Sequence, residues 1–295
     1  MSMIHCFKPN KVYVSVIISS IILITVVVWC ILPYDYDHIR RTTHCDTTPR
    51  STEKYLVFPM WTIISGSGLG NQLFEIFSLL GMAQKLNRTA IFNKRDWFLR
   101  FRLSNVHMKI PKISDQVKTR DIEPSETMRY TYSPACCEYN LPSMLSCEQS
   151  KFLVIDGRYF QSFKYFSSME STIREWLTPT GEEREYLNTM ISQEDLNRHK
   201  ICVHIRRGDF LTDGNHAGTE KDFTLDAINY LRTPSSTFGW WIGYLSRNQT
   251  NVYYRDIREM DDPVKFQMID EDFFPEKWKK LGYTRSNGTV FLKDF

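Results

Sequence analysis

Several things are missing from this 295-residue sequence, and each absence removes a class of function. No block of one charge sign dominates: 37 Lys and Arg against 34 Asp and Glu leave a formal net charge of +3. That spread gives no basic stripe for nucleic acid. The seven cysteines lack paired C-x-x-C or histidine spacings, which argues against a zinc site. No internal repeat is present, so solenoid and array architectures are set aside. Neither a dinucleotide fingerprint nor a P-loop occurs, because the one glycine cluster reads G-x-G-x-G and no Lys-Ser or Lys-Thr follows it.

What is present divides the chain. Val12 to Leu32 is an uncharged, mostly apolar run rich in Val and Ile, long enough as a helix to cross a hydrocarbon core of roughly 30 Å. It ends in Trp29, Cys30 and Pro33 without a small-residue cleavage site, so it reads as an uncleaved signal anchor. Lys8 and Lys11 precede it, and the positive-inside rule places the short tail in the cytosol and the rest in the lumen. The expected organisation is a cytosolic tail (1–11), a transmembrane anchor (12–33), a polar stem (34–60), an amino-terminal α/β half (61–180) and a carboxy-terminal half (181–295). Three Asn-x-Ser/Thr sequons at Asn87, Asn248 and Asn287 agree with a luminal location as N-glycosylation sites. In an oxidising lumen Cys136, Cys137 and Cys147 are expected in disulfides, while Cys202 reads as a core thiol.

Within the first half, Met60 to Ile64 reads as a strand running into Ser65-Gly66-Ser67-Gly68-Leu69-Gly70-Asn71-Gln72. Leu73, Phe74, Phe77, Leu80, Met82, Ala83 and Leu86 then recur at helical spacing up to Asn87, and Thr89 to Phe92 looks like the next strand. A glycine-rich turn between strand and helix brings backbone amides and the positive helix end to an anion, although a purely structural turn has the same appearance. Asn71 fits either a helix cap or a hydrogen-bond donor to ligand. Asp96 to Ser150 reads as loop-rich and holds the cysteine cluster, with no element placed in it. Phe152 to Gly157 reads as a strand, followed by an aromatic cluster from Tyr159 to Phe166 that is expected in the core.

The second half centres on Ile201-Cys202-Val203-His204-Ile205-Arg206-Arg207-Gly208-Asp209-Phe210, a buried-type strand that breaks into charge. Ligands of open α/β sheets bind at the carboxyl ends of strands. Two arginine forks there suit a diphosphate, with Asp209 able to fix one of them. Two solvated arginines at a turn are the alternative. Phe223 to Leu231 reads as a helix, Ser235-Ser236-Thr237 as the start of another, and Asn251 to Arg255 as a last strand. Asp35-Tyr36-Asp37 and Asp270-Glu271-Asp272 resemble metal-binding acids, but helix-start or solvated roles suit them better.

Taken in order, Gly68-Leu69-Gly70-Asn71-Gln72-Leu73-Phe74, Tyr159-Phe160-Gln161-Ser162, His204-Ile205-Arg206-Arg207-Gly208-Asp209 and Ser236-Thr237-Phe238-Gly239-Trp240-Trp241 resemble the α1,2-fucosyltransferase family. That resemblance covers most of the chain from about Trp61. It implies two Rossmann-like halves (GT-B-like), a single-pass type II protein of the Golgi membrane, and transfer of fucose from GDP-fucose to a galactose-terminated glycan with inversion. By similarity Arg206 holds the β-phosphate, His204 and Arg207 support it, Gly68, Gly70 and Asn71 lie near the diphosphate and the reacting sugar, and Ser236 and Thr237 touch phosphate. Arg206 and Asn71 are the expected catalytic pair, Asp209 belongs to the donor site, and no metal or other cofactor is implied. One departure stands out. The family has several dozen residues between the helix after the arginine motif and Ser-Thr-Phe-Gly-Trp-Trp, whereas here Leu231 is followed almost at once by Pro234. The second half is therefore expected to be shortened, with loss of much of the guanosine site.

Overall fold

Short β-branched and aromatic runs form the centre of the molecule. In the computed structural model, which describes residues 53–59, 68–94, 97–113, 115–190, 192, 204, 218, 220–230 and 237–293, these runs are β1 (Tyr55–Val57), β2 (Thr89–Asn93), β3 (Lys118–Arg120), β4 (Thr127–Thr131) and β5 (Phe152–Asp156). They make one sheet in the order β3-β2-β1-β5-β4, with every pair parallel. Leu56 stands opposite Ala90 on one side and Leu153 on the other. Central parallel strands are covered on both faces, which is why Tyr55-Leu56-Val57 is apolar at every position instead of alternating.

Alternate residues feed two clusters. Leu56, Phe92, Leu153 and Ile155 join the main core, while Tyr55, Val57, Ile91, Phe152 and Val154 form a smaller one on the opposite face. The main core receives α1 (Leu69–Lys85), whose Leu73, Phe74, Ile76, Phe77 and Met82 are buried. The helix ends where Asn87 adopts a left-handed φ of 50°. At Gly81 the backbone of Tyr165 and Phe166 crosses so closely that a Cβ would come within 2.3 Å of the Tyr165 carbonyl oxygen. Arg88 then turns inward and donates to the carbonyls of Tyr55, Ser150 and Glu148, stitching β1 to the entrance of β5.

α2 (Trp97–Lys109), α3 (Glu170–Trp176) and α4 (Gly181–Thr189) follow. α4 begins at a capping box between Thr180 and Glu183. Beyond α5 (Lys221–Tyr230) and α6 (Thr237–Leu245) lies a second sheet of β6 (Tyr253–Arg255), β7 (Lys279–Thr284) and β8 (Thr289–Lys293). Its order is β6-β7-β8, with β6 parallel to β7 and β7 antiparallel to β8. A short helix, α7 (Asp270–Phe273), precedes β7. Thr47–Phe295 forms one unit, and the aromatic rings of α6 and α7 enter the same core as α1. Phe74 lies 4.6 Å from Trp240, 5.2 Å from Trp241 and 5.9 Å from Phe273 between ring centroids.

This is a Rossmann-like α/β architecture built on a five-stranded parallel sheet. Four sequence expectations need correcting. The first strand is Tyr55–Val57, inside the stretch read as stem; residues 60–67 lie outside the described set. The stretch from Asp96 to Ser150 contributes α2, β3 and β4 instead of loops alone. The carboxy-terminal tail is a β-hairpin around Asn287-Gly288, with Gly288 at φ 66°. Of the two roles expected for Asp270, helix start holds, since it opens α7, and solvation does not: it is 1% exposed and lies 2.9 Å from Arg258 and 2.6 Å from Lys280. Val12 to Leu32 lies outside the described residues. Among the described residues no helix is long and apolar enough to cross a membrane.

Candidate functional site

The chain order of the parallel sheet changes direction between β1 and β5: β2 and β3 extend from β1 on one side, β5 and β4 on the other. Loops leaving the carboxyl ends of two such strands diverge and leave a crevice, the usual ligand position in open α/β sheets. The two loops here are the glycine-rich stretch before α1 and the turn Gly157 to Ser162 after β5.

Gly68 caps α1 in an extended conformation (φ −68°, ψ 175°) and has no side chain to offer the helix. The amides of Asn71 and Gln72 both return to the Gly68 carbonyl, at 3.1 and 3.2 Å. The earlier amides of the first turn have no intrahelical partner by geometry, and no acidic side chain stands in that turn. Among the described residues, a Cβ built on Gly68 meets nothing within 4 Å. The fold therefore does not require glycine there, and the open space lies where a ligand would approach the backbone.

Two elements hold this helix end. From α6, the Trp241 indole Nε1 donates to the Gly70 carbonyl at 3.0 Å, while its neighbour Trp240 donates to Phe273 at 2.8 Å. From the turn after β5, Gln161 Nε2 donates to Asn71 Oδ1 at 2.9 Å. Gln161 is 5% exposed. Thr237 is the first residue of α6, four positions before Trp241.

One turn beyond Asn71 stands Glu75, whose carboxyl is fully buried with both oxygens lacking a hydrogen-bond partner. Burial pushes it well above the usual carboxylate range, with the Arg102 guanidinium opposing in part.

The structure thus brings Gly68, Gly70 and Asn71 together at the crevice with Gln161 and Trp241. His204 is half-buried. Arg206, Arg207, Asp209 and Ser236 lie outside the described residues, as does the side chain of Thr237. Asp272, suspected of metal binding, accepts from the Tyr139 amide at 2.9 Å and pairs with Lys164 at 2.7 Å, so its oxygens serve the fold. Cys136 and Cys137 are disulfide-bonded to each other, and Cys147 is also in a disulfide. Asn87, Asn248 and Asn287 are all exposed, at a helix end, before a short 3-10 turn and in a hairpin turn.

Sequence reasoning assigned no role to Gln161, Glu75 or the Trp240–Trp241 pair. The Trp pair was visible inside a motif but carried no sign of what the indoles bond. Glu75 was visible as a single acid on the apolar side of a helix pattern.

The sequence model of Glycosyl transferase family 11 matches residues 12–234. A galactoside 2-alpha-L-fucosyltransferase of Caenorhabditis elegans is 43% identical over 344 aligned positions, covering 97% of each chain. A second galactoside 2-alpha-L-fucosyltransferase of that organism is 30% identical over 81% of this chain and 80% of its own length. No solved structure gives a significant match. In the first alignment, 97% of 295 residues is about 286, so about 58 of the 344 positions face no residue of this chain. The family match stops at Pro234, where Leu231 runs almost directly into the Ser-Ser-Thr stretch.

Proposed function

Because this chain belongs to glycosyl transferase family 11, we propose that it is a galactoside 2-α-L-fucosyltransferase, moving L-fucose from GDP-fucose to a galactoside of a glycan in α1,2 linkage with inversion. The observation that carries this reading is the 43% identity to such an enzyme along 97% of both chains. The uncapped, acid-free amino end of α1 at the sheet's crevice supports it, since that is where a diphosphate is best received.

In the proposed reaction an acceptor hydroxyl oxygen bonds to the fucose anomeric carbon as the bond from that carbon to the diphosphate oxygen breaks. The hydroxyl proton passes to a base, and GDP leaves with the bonding electrons. Positive charge grows on the sugar ring and negative charge on the diphosphate. The first-turn amides of α1 and the Asn71 carboxamide meet that negative charge. Arg206 takes the β-phosphate, with Arg207, His204, Ser236 and Thr237 around it and Asp209 fixing an arginine. Fixed donors of this kind contribute roughly 3 kcal/mol each to the transition state. No metal ion is needed in this scheme, because arginines supply the countercharge.

We place the protein in the Golgi membrane as a single-pass type II chain, anchored by Val12 to Leu32, with residues beyond the stem in the lumen as the catalytic region. The Cys136–Cys137 disulfide suits an oxidising compartment. The three exposed sequons suit N-glycosylation there. The architecture we infer is GT-B-like, with a shortened second half.

A second reading has its own support. About 58 positions of the relative have no counterpart here, and a chain lacking them is a catalytically inactive, membrane-anchored relative that binds a glycan or a partner enzyme. Calorimetric titration of GDP into the full-length chain separates the two. Saturable binding that disappears in Arg206→Ala, together with fucose transfer to a β-galactoside, is the outcome expected of the enzyme. A folded chain that binds no GDP overturns the transferase reading and leaves the inactive relative.

A further inference from the structure

We infer that Gln161 is a positioning residue for the transfer reaction: it turns the Asn71 carboxamide so that the amino group faces the donor's diphosphate. This inference rests on the transferase reading above. Gln161 sits 90 positions from Asn71, yet its Nε2 donates to Asn71 Oδ1 at 2.9 Å. Its place in the turn is held from the other end. Oε1 lies 3.3 Å from Cys137 Sγ, a disulfide sulfur without a proton to give, and the backbone N–H donates to the Cys136 carbonyl at 3.0 Å.

The surrounding turn is built to deliver this one side chain. Tyr159 and Phe160 are consecutive left-handed residues, at φ 62° and 50°. Such conformations persist only where packing over-determines them, and they concentrate at functional sites. Here the Phe160 ring stacks on Phe58 at 4.0 Å and covers Gly157, where any Cβ would meet the ring at 2.5 Å. Ser162 Oγ closes the turn by donating to the Asp272 carbonyl at 2.5 Å.

The chemical consequence follows from the two unlike ends of an amide. A diphosphate oxygen only accepts hydrogen bonds, so an Asn71 that offered Oδ1 would repel it. With Oδ1 engaged by Gln161, the Nδ2 amino group is the end left for ligand. Asn71 is half-buried on the first turn of α1, beside the backbone amides that start the helix.

The test uses the full-length chain, GDP titration and donor kinetics. In Gln161→Glu the introduced carboxylate accepts only, so Asn71 reverses and turns Oδ1 toward the diphosphate. Near pH 7.5 the variant is expected to bind GDP about tenfold more weakly, the loss of one hydrogen bond to a charged group, and to lower kcat as well as raise donor KM. At this position, only 5% exposed, burial raises an introduced carboxyl above its ordinary value, so toward about pH 5 it takes up a proton and becomes a donor again. The ratio of variant to wild-type affinity should then recover, with the thermal transition little changed. Gln161→Met, which removes the donor without adding charge, should show a smaller loss that does not vary with pH. A Gln161→Glu deficit of equal size at both pH values, or none at either, overturns the inference, as does unchanged GDP affinity in Gln161→Met should the Glu variant fail to fold. Wild type that binds GDP while these variants match it defeats only the role of Gln161. Wild type that binds no GDP defeats the transferase reading, and this inference with it.

Discussion

The Trp241 indole donates a hydrogen bond to the Gly70 carbonyl across 171 positions of sequence, at 3.0 Å. This one contact joins α6, near the carboxyl end of the chain, to the first turn of α1 at the crevice. It fixes where the glycine-rich turn presents its amides.

Trp241→Phe keeps the ring among Phe74, Phe77 and Phe166 but removes the donor and leaves a buried carbonyl unpaired. A loss of about 1–3 kcal/mol in stability is expected. Chemical denaturation would measure it, and GDP affinity should fall in the same variant because the α1 amides lose their fixed position.

Glycines at the two ends of α1 should respond in opposite ways. Gly81→Ala places a Cβ 2.3 Å from the Tyr165 carbonyl oxygen and 2.8 Å from Phe166 Cα, both backbone atoms that cannot swing aside. A drop of several degrees in the thermal transition is expected. Gly68→Ala meets nothing among the described residues and should melt as wild type does, so a loss of GDP binding in that variant reports on ligand approach.

Glu75 gives the protein an acid-side advantage. Its carboxyl is raised in the folded state by burial, so between the unfolded value near 4.3 and the raised folded value the native state holds the extra proton. Stability from this group is fully present below the unfolded value and is lost as pH rises toward the folded one. Glu75→Gln should flatten that part of the stability profile and raise stability at pH 7. A profile identical to wild type would show the carboxyl to be ionised and paired.

Arg88 holds three main-chain carbonyls at the edge of the parallel sheet. Arg88→Met retains the aliphatic stem and abandons those acceptors, at an expected cost of about 2–4 kcal/mol. A denaturation midpoint within error of wild type would show that water replaces the guanidinium there.

Much of the first half was legible locally. The α1 stripe, its stop at Asn87, β2 and β5 each come from patterns confined to a few neighbours. The aromatic cluster after β5 was rightly expected in the core, where Phe160, Tyr165 and Phe166 are buried. The failures were also local. Tyr55–Val57 is only three residues long and was passed over within the stretch read as stem, although Tyr55-Leu56-Val57-Phe58 is apolar throughout; its pairing with β2 and β5 makes it a strand. Trp97–Lys109 mixes Arg, Phe and Leu without a clean apolar stripe, which hides α2. The Asn287-Gly288 hairpin signal was present but was read only as a glycosylation sequon.

By itself the sequence determined the family, the strand–glycine–helix unit and the type of residue offered to a diphosphate, because motif order and short-range periodicity are properties of the chain. Only the tertiary structure decided that Gln161 grips Asn71, that Trp241 grips Gly70, that the Glu75 carboxyl is buried, and that Asp270 and Asp272 serve ion pairs of the fold. Those contacts span 90 and 171 positions or depend on what encloses a side chain. Periodicity reports on neighbours a few residues apart, while hydrogen bonds between distant loops exist only once the sheet has brought the ends of β1 and β5 side by side.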